Sequence, residues 1–392
     1  MSIFGLNTST YLFIFLIICL VGPSGCRSTV PQTSPDTTAY PTGVVIKPQF
    51  KKESDDSLVL IQEFEHYNGS KMLVGKIRAI ASDDTNIYLA DFQQGKIIVL
   101  DKRTNSFKRT IGNGPGNGPG DLNKPFNVYI FNGNLVVPHY TGQFMFTIFS
   151  PEGAVISTIN RLNYDPNYAA DPTSNFLRDS IVYFSNNIAR DLKKVEVLKL
   201  SSPLTIPFKS ILPVTDFQSM SDSATLSTVL PKFFLLNSAK GDKFFAAPGN
   251  KPLLNTYKYN GQLIGSYDLR NIPALYTFYE DLASFFESGS PTYFSSIVTD
   301  NDDYVYFYSG EITNLKAIKN KQVAPEKVQF KTCFVAVNLQ KLTYKIFRSQ
   351  NKSLVPLKII DDQIWSYDRE KSTIVIQQMP HNNHLSSKSD TY

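Results

Sequence analysis

The sequence predicts an all-β fold, a six-bladed β-propeller built from four-stranded antiparallel blades. Two successive stretches, 77–111 and 126–160, each contain four short runs of alternating apolar residues separated by Asp, Asn and Gly turns. Four strands that recur at roughly 45 residues are typical of a propeller blade. The composition agrees, because 28 Phe and 21 Tyr among 392 residues favour strands over helices.

The strands can be placed one by one in most of the chain. The first blade is expected at 77–81, 86–90, 96–101 and 106–111, and the second at 126–131, 134–138, 143–149 and 154–160. The third is expected at 175–179, 181–185, 193–200 and 204–209, the fourth at 232–238, 243–247, 252–259 and 262–268, and the fifth at 293–299, 303–308, 331–338 and 342–347.

The sixth blade has three strands of its own, at 354–360, 363–367 and 372–378. The apolar run 57–64 has no partner beside it in the sequence, so we expect it to supply the fourth strand. That pairing would close the ring and leave no free sheet edge. Between blades, 271–289 has apolar residues at helical spacing and predicts a short amphipathic helix, and a second short helix is expected around 217–229.

The chain divides into four segments. Residues 1–26 form a targeting segment, 27–56 a polar Pro/Ser/Thr-rich tether, 57–380 the propeller and 381–392 a polar tail. Small residues precede Cys26 directly after an apolar run at 11–21, which resembles the lipobox of bacterial lipoproteins. That resemblance implies lipidation of Cys26, palmitate included, and anchoring in the bacterial envelope, at the outer membrane. Ordinary signal-peptidase cleavage and a plain membrane anchor are the alternatives.

Charge and cysteine content exclude several classes of site. The net charge of +5 is spread along the chain without a Lys/Arg stripe, so no nucleic-acid partner is expected. Cys333 is the one cysteine in the body of the chain and is expected to be a buried core residue. We predict no cofactor and no metal. The Gly-rich stretch 112–120 is interpreted as an inter-blade turn, because Pro115 and Pro119 remove two N–H donors and no helix follows.

Residues 77–160 carry a second resemblance. Ile111-Gly112, followed by Gly118-Pro119-Gly120-Asp121, Pro125 and Val128, is similar to the inter-blade signature of bacterial six-bladed propellers of the NHL-repeat and TolB-like kind. Tyr88-Leu89-Ala90-Asp91, followed by 97–101, resembles the second strand, turn and third strand of their blades. The resemblance implies a propeller scaffold on an envelope lipoprotein and leaves the ligand undefined.

The ends of the second strands predict which residues lie at the channel mouth. They are Asp91, His139, Ser185, Tyr308 and Tyr367, with Ala247 in the fourth blade. Asp91 and His139 occupy equivalent points of neighbouring blades, so their side chains are expected to approach each other. The pair is interpreted either as a hydrogen bond at the rim or as an acid–base pair or half of a metal site.

Long connections are expected on the same side as this mouth, which we call the long-loop face; the opposite side, with short turns, is the tight-turn face. Binding residues concentrate on loops carried by a rigid scaffold. Aromatic residues are expected on the long-loop face at Phe92, Tyr140, Tyr164, Tyr168 and Tyr276, besides the mouth tyrosines. They suit a glycan or protein partner, and the alternative is that they pack under their own loops.

The sequence therefore predicts a non-catalytic binding or interaction module tethered to the bacterial envelope. The alternative is a metal-dependent propeller hydrolase or lyase with a site at the channel mouth, which would need at least three converging ligands, whereas the aligned positions offer Asp91 and His139. A structural role in an envelope complex is the third interpretation.

Overall fold

The computed structural model describes residues 45–64, 66–67, 72–73, 75–140, 144–160, 170–178, 181–186, 195–199, 233–238, 240, 242–248, 252–259, 262–283, 297–300, 304–320, 322, 330–350, 354–368 and 370–380. Five strands open this part of the chain: β1 (Val45–Ile46), β2 (Lys51–Ser57), β3 (Val59–Phe64), β4 (His66–Tyr67) and β5 (Met72–Leu73). Strands β4 and β5 pair with each other as a small hairpin.

The first two sheets follow the prediction closely. The first sheet consists of β6 (Ile77–Ser82), β7 (Asn86–Asp91), β8 (Lys96–Asp101) and β9 (Phe107–Ile111), and the second of β10 (Tyr129–Phe131), β11 (Asn134–Tyr140), β12 (Phe144–Phe149) and β13 (Val155–Asn160). Each strand pairs antiparallel with the next in sequence. Asn132 and Gly133 both have positive φ in the two-residue turn between β10 and β11, as a tight hairpin requires.

The third sheet contains β14 (Ala170–Arg178), β15 (Ile181–Asn186) and β16 (Val195–Lys199). The fourth contains β17 (Phe233–Asn237), β18 (Phe244–Pro248), β19 (Leu253–Tyr257) and β20 (Leu263–Asp268), followed by helix α1 (Pro273–Ala283). The fifth contains β21 (Ile297–Thr299), β22 (Val305–Ile312), helix α2 (Leu315–Lys319), β23 (Phe330–Asn338) and β24 (Thr343–Arg348), and the sixth contains β25 (Leu354–Ile360), β26 (Gln363–Asp368) and β27 (Thr373–Gln378).

The helix predicted within 271–289 is confirmed as α1. Pro273 opens it, where the missing N–H costs no hydrogen bond, and Leu275, Phe278 and Tyr279 bury one face against the fourth and fifth sheets. The helix expected around 217–229 lies outside the described residues. Within the described part of the chain, neither helix has the length and apolar character needed to cross a membrane.

The number of complete blades differs from the prediction. In the described residues five sheets have four antiparallel strands, and the third sheet has three. The predicted fourth strand of that sheet, 204–209, lies outside the described residues. The expectation of six four-stranded blades is therefore corrected to five such blades and one three-stranded sheet in the part of the chain that the structure describes.

Neighbouring sheets pack face to face around a common axis. Val99 of the first sheet shares an apolar core with Leu135 of the second, and Phe334 of the fifth shares one with Ile364 of the sixth. Trp365 of the sixth sheet packs in one core with Leu89 of the first. The first strands of the sheets lie beside one another, β25 next to both β21 and β6. This radial arrangement of sheets is a β-propeller, and it places strand ends and loops on two opposite faces.

The N-terminal strands run along the outer edges of three successive sheets. Strand β1 pairs parallel with β20, β2 pairs parallel with β24, and β3 pairs antiparallel with β27, with Val59 opposite Gln378. The prediction of a flexible tether through residue 56 is thus wrong from Val45 onward. Polar contacts explain why a strand as polar as β2 is ordered. The Arg348 guanidinium donates to both Asp55 carboxylate oxygens at 2.7 and 3.0 Å, and the Tyr304 hydroxyl donates to Glu53 at 2.9 Å.

Candidate functional site

Asp91 ends β7, and its carboxylate organises the turn that follows. Oδ1 accepts hydrogen bonds from the backbone N–H groups of Gln93 and Gln94 at 3.0 and 2.9 Å, and Oδ2 accepts one from Gly75 at 2.8 Å. The side chain is fully buried. Burial raises the pKa of Asp91, while the three N–H donors favour the charged form and oppose that shift. All three bonds serve the backbone, so Asp91 acts as the cap of this turn.

Asp368 occupies the same place in the sixth sheet. It is the last residue of β26, as Asp91 is the last of β7, and its Oδ1 accepts from the N–H groups of Glu370 and Lys371 at 2.9 and 3.1 Å. Burial raises the pKa of Asp368 as well. Two sheets therefore use the same carboxylate position for the same turn geometry, which favours a structural role at this position.

His139 lies near the end of β11 and is 2% exposed. Its Nε2 shares a hydrogen bond of 2.9 Å with the Thr147 hydroxyl on the neighbouring strand, whereas its Nδ1 is buried without a hydrogen-bond partner among the described residues. Burial lowers the pKa of His139 to about 4. The imidazole is consequently neutral at physiological pH.

The expected pairing of Asp91 with His139 is not among the contacts of either side chain. Asp91 bonds to backbone N–H groups, and His139 bonds to Thr147. Across the described residues, no group of three or more His, Cys, Asp or Glu side chains is arranged to hold a metal ion. The contacts of the described residues therefore do not support the interpretation of Asp91 and His139 as an acid–base pair or half of a metal site.

Of the other residues predicted at the channel mouth, Tyr367 and Tyr308 pack against neighbouring side chains and Ser185 lies within a strand. Tyr367 is 7% exposed in the core between the sixth and first sheets, and burial raises its pKa. The Tyr308 ring meets the Phe278 ring edge-on at 6.1 Å between centroids. Ser185 lies in β15 opposite Val195. In the described residues the predicted mouth is thus built largely of packed and bonded side chains.

The predicted aromatic residues on the long-loop face separate into packed and exposed ones. Phe92 is partly buried, with the Arg78 guanidinium 5.0 Å from its ring centroid, and Tyr276 packs from α1 against the core of the fourth and fifth sheets. Tyr140 is 45% exposed at the end of β11. Tyr164 and Tyr168 lie outside the described residues.

A loop held by several hydrogen bonds, residues 112–124, lies beside Tyr140. The Asn123 carboxamide binds the Gly116 backbone twice: Oδ1 accepts from the N–H at 3.1 Å and Nδ2 donates to the carbonyl at 2.5 Å. Asp121 Oδ2 accepts from the Gly118 N–H at 2.7 Å. The Tyr140 N–H donates to the Asn123 carbonyl at 2.8 Å, which joins the loop to β11. The interpretation of 112–120 as a turn agrees with this geometry, and the bonds hold the loop in one shape next to an exposed ring.

Two features of the site were missed from the sequence. Asn123 contacts the backbone of Gly116 seven positions earlier, and Asp121 contacts that of Gly118 three positions earlier. The glycine pattern alone does not reveal these contacts. Lys358, on the first strand of the sixth sheet, is half-buried, and burial lowers its pKa. A single lysine within the apolar run LVPLKII was the available signal.

No protein-family model and no curated protein matches this sequence. Solved structures do resemble the fold. One is a member of the DUF4221 family from Bacteroides vulgatus, with a TM-score of 0.53 at 11% identity over 82% of this chain and 97% of its own. Another is a Bacteroides fragilis protein described as exported, with a TM-score of 0.50 at 8% identity over 84% of this chain and 99% of its own. Identities this low support the propeller fold alone.

Proposed function

We propose that this protein is a non-catalytic binding module that holds a protein or glycan ligand on its long-loop face, beside Tyr140. The observation that carries the proposal is the pairing of this 45%-exposed ring with the bonded loop 112–124. A pre-organised loop loses little conformational entropy when a ligand binds. An exposed tyrosine offers a stacking surface and a hydroxyl together, which suits both sugars and protein side chains.

The contacts of Asp91 and His139 support the same proposal. Both carboxylate oxygens of Asp91 accept hydrogen bonds from backbone N–H groups. At the same place in the sixth sheet, Asp368 Oδ1 accepts from two backbone N–H groups. His139 stays neutral because burial lowers its pKa to about 4, so it is a weak general base at neutral pH. These groups hold the scaffold that presents Tyr140.

The proposal also includes a location in the bacterial envelope and a propeller ring of six sheets that is closed. The apolar run 11–21 before Cys26 supports lipidation and anchoring at the bacterial outer membrane, with residues 27–44 as the tether. The Bacteroides fragilis protein of similar fold is described as exported, which agrees with an envelope location. Pairing of β3 with β27, together with the shared core of the sixth and first sheets, supports a ring of six sheets closed by the N-terminal strand, of the NHL-repeat or TolB-like kind.

Site-directed photo-crosslinking tests the ligand face. A benzoyl-phenylalanine replaces Tyr140 in the full chain, and the control carries it at Glu152, an exposed residue in the turn at the opposite end of the same sheet. We expect crosslinked product in bacterial envelopes from position 140 and not from position 152. Protease digestion of the product separates a protein ligand from a glycan. Equal yields at both positions, or no product at 140, would contradict the proposal.

A binding measurement complements the crosslink. Tyr140→Ala is expected to weaken retention of the identified ligand by about tenfold, because a central aromatic side chain often dominates a binding surface. Tyr140→Phe separates the two contributions of the residue: retention close to wild type assigns the effect to ring stacking, and a loss equal to that of alanine assigns it to the hydroxyl. Unchanged retention in both variants would rule out this residue as the contact.

A further inference from the structure

A cavity of about 250 Å³ lies between the fourth and fifth sheets, on the tight-turn face. Its walls include Lys243, Phe245, Thr256 and Tyr267 from the fourth sheet and Asn338 from the fifth. The volume equals that of about eight liquid waters, which is room for one small organic molecule. This cavity is on the face opposite Tyr140, so it is independent of the ligand proposed above.

The fourth sheet is shaped to leave this space. Phe245 pairs with Thr256 and Thr256 with Gly265, so these three residues lie side by side across β18, β19 and β20. A Cβ atom on Gly265 would lie 3.0 Å from Cε2 of Tyr267, closer than ordinary contact. The missing side chain therefore gives the Tyr267 ring its place at the cavity.

Thr256 supplies a polar group without a partner. The residue is 4% exposed, and its hydroxyl has no hydrogen-bond partner among the described residues. A buried hydroxyl that leaves its hydrogen bonds unmade is destabilising, so such groups usually meet a ligand, water or another side chain. A hydrogen-bond acceptor inside the cavity would satisfy this hydroxyl.

Lys243 adds a positive charge to a largely apolar wall. Its side chain is 11% exposed, and its ammonium lies 5.9 Å from the Phe245 ring centroid. The carboxylate of Asp242 is 4.0 Å away, at the limit of an ion pair, and its side chain is 66% exposed to solvent. The ammonium therefore gives this wall of the cavity a positive charge, which favours an anionic ligand over a neutral one.

We propose that this cavity binds a small organic carboxylate with an apolar ring. The carboxylate lies beside the Lys243 ammonium and accepts a hydrogen bond from Thr256, and the ring contacts Phe245 and Tyr267. The combination of mostly apolar walls with a few polar groups is typical of small-molecule sites. The charge of Lys243 selects an anion over a neutral molecule of the same shape.

Calorimetric titration of the full chain with benzoate and with its neutral counterpart benzyl alcohol tests this inference. We expect benzoate to bind with a Kd of about 1 mM or tighter and benzyl alcohol about tenfold more weakly. Lys243→Met, which keeps the aliphatic stem, should abolish the preference for benzoate. Thr256→Val, which keeps the shape, should weaken benzoate about fivefold while leaving the thermal midpoint equal or higher, because it removes an unpartnered hydroxyl.

Two results would overturn the proposal. One is the absence of benzoate binding to the wild-type chain. The other is equal affinity for benzoate and benzyl alcohol, which would assign the cavity to apolar contact alone. Should Lys243→Met fail to fold, Thr256→Val still decides, because wild-type affinity for benzoate in that variant also contradicts the assignment.

Discussion

The backbone N–H of Gly75 donates a hydrogen bond of 2.8 Å to the Asp91 carboxylate. This contact joins the segment before the first sheet to the turn after its second strand. A side chain on Gly75 would clash with the Asp91 carboxylate oxygens, so the contact requires glycine. The Asp91 carboxylate is thus held in place by a hydrogen bond to the backbone.

Substitutions at Gly75 and Asp91 test this structural role. Gly75→Ala should lower the free energy of unfolding by roughly 2 kcal/mol through the clash, and Asp91→Ala by roughly 3 kcal/mol, because three N–H groups lose their acceptor. Gly133→Asn is the control, since nothing lies within 4 Å of a Cβ there and Asn tolerates positive φ. Urea unfolding followed by Trp365 fluorescence measures all three. A Gly75→Ala protein as stable as wild type would contradict the assignment.

His139 should make stability depend on pH between about 6.5 and 4. Burial lowers its folded-state pKa to about 4 from an ordinary value of 6.5. The unfolded chain therefore takes up a proton first as pH falls, and the stability present above 6.5 is lost toward 4. The loss between pH 7 and pH 5 should be about 2 kcal/mol.

His139→Gln is the matched variant for this effect, because Gln cannot titrate and can still reach Thr147. Unfolding free energies at pH 7 and pH 5 should show a smaller drop for the variant by about the same 2 kcal/mol. Equal drops in the two proteins would show that His139 is not buried in its neutral form.

Strand β2 should be released when its ion pair is removed. Asp55 accepts both hydrogen bonds of the Arg348 guanidinium, whose hydrogen bonding lowers the pKa of that carboxyl to about 2. Asp55→Asn should speed tryptic cleavage after Lys51 and Lys52 about fivefold, which corresponds to a well-formed but partly exposed ion pair. Asp56→Asn is the control and should leave the rate unchanged.

The same pair fixes a pH window for β2. A lowered folded-state pKa gives stability that is present above the ordinary value of 3.8 and lost as pH falls through about 2. Limited digestion with pepsin should therefore leave the bonds at Phe50 and Leu58, which flank β2, protected at pH 4 and cut them increasingly toward pH 2. Cleavage at Phe50 and Leu58 as fast at pH 4 as at pH 2 would contradict the assigned pair.

Sequence periodicity was enough to place the strands of the first two sheets, because their apolar runs are short and are separated by Asp, Asn and Gly turns. It could not place β2, whose sequence KKESDDS has no apolar pattern. That strand is held by Arg348, a residue 293 positions away from Asp55, and such a partner is invisible to local patterning. Pattern reasoning also left Asp91 open between a rim hydrogen bond and an acid–base or metal role, because it does not show that Asp368 at the same strand end caps the same kind of turn.

A pair of cysteines tests the pairing of the N-terminal strand β3 with β27, on which the proposed closed ring depends. Val59 lies opposite Gln378 in that pairing, and Thr373 lies at the far end of β27, about 17 Å along the strand. In a chain whose Cys19, Cys26 and Cys333 are replaced by Ser, Val59→Cys/Gln378→Cys should form a disulfide on mild oxidation and migrate faster on a non-reducing gel. The control Val59→Cys/Thr373→Cys should remain reduced. No disulfide in the first pair, or equal oxidation of both pairs, would contradict the fold described here.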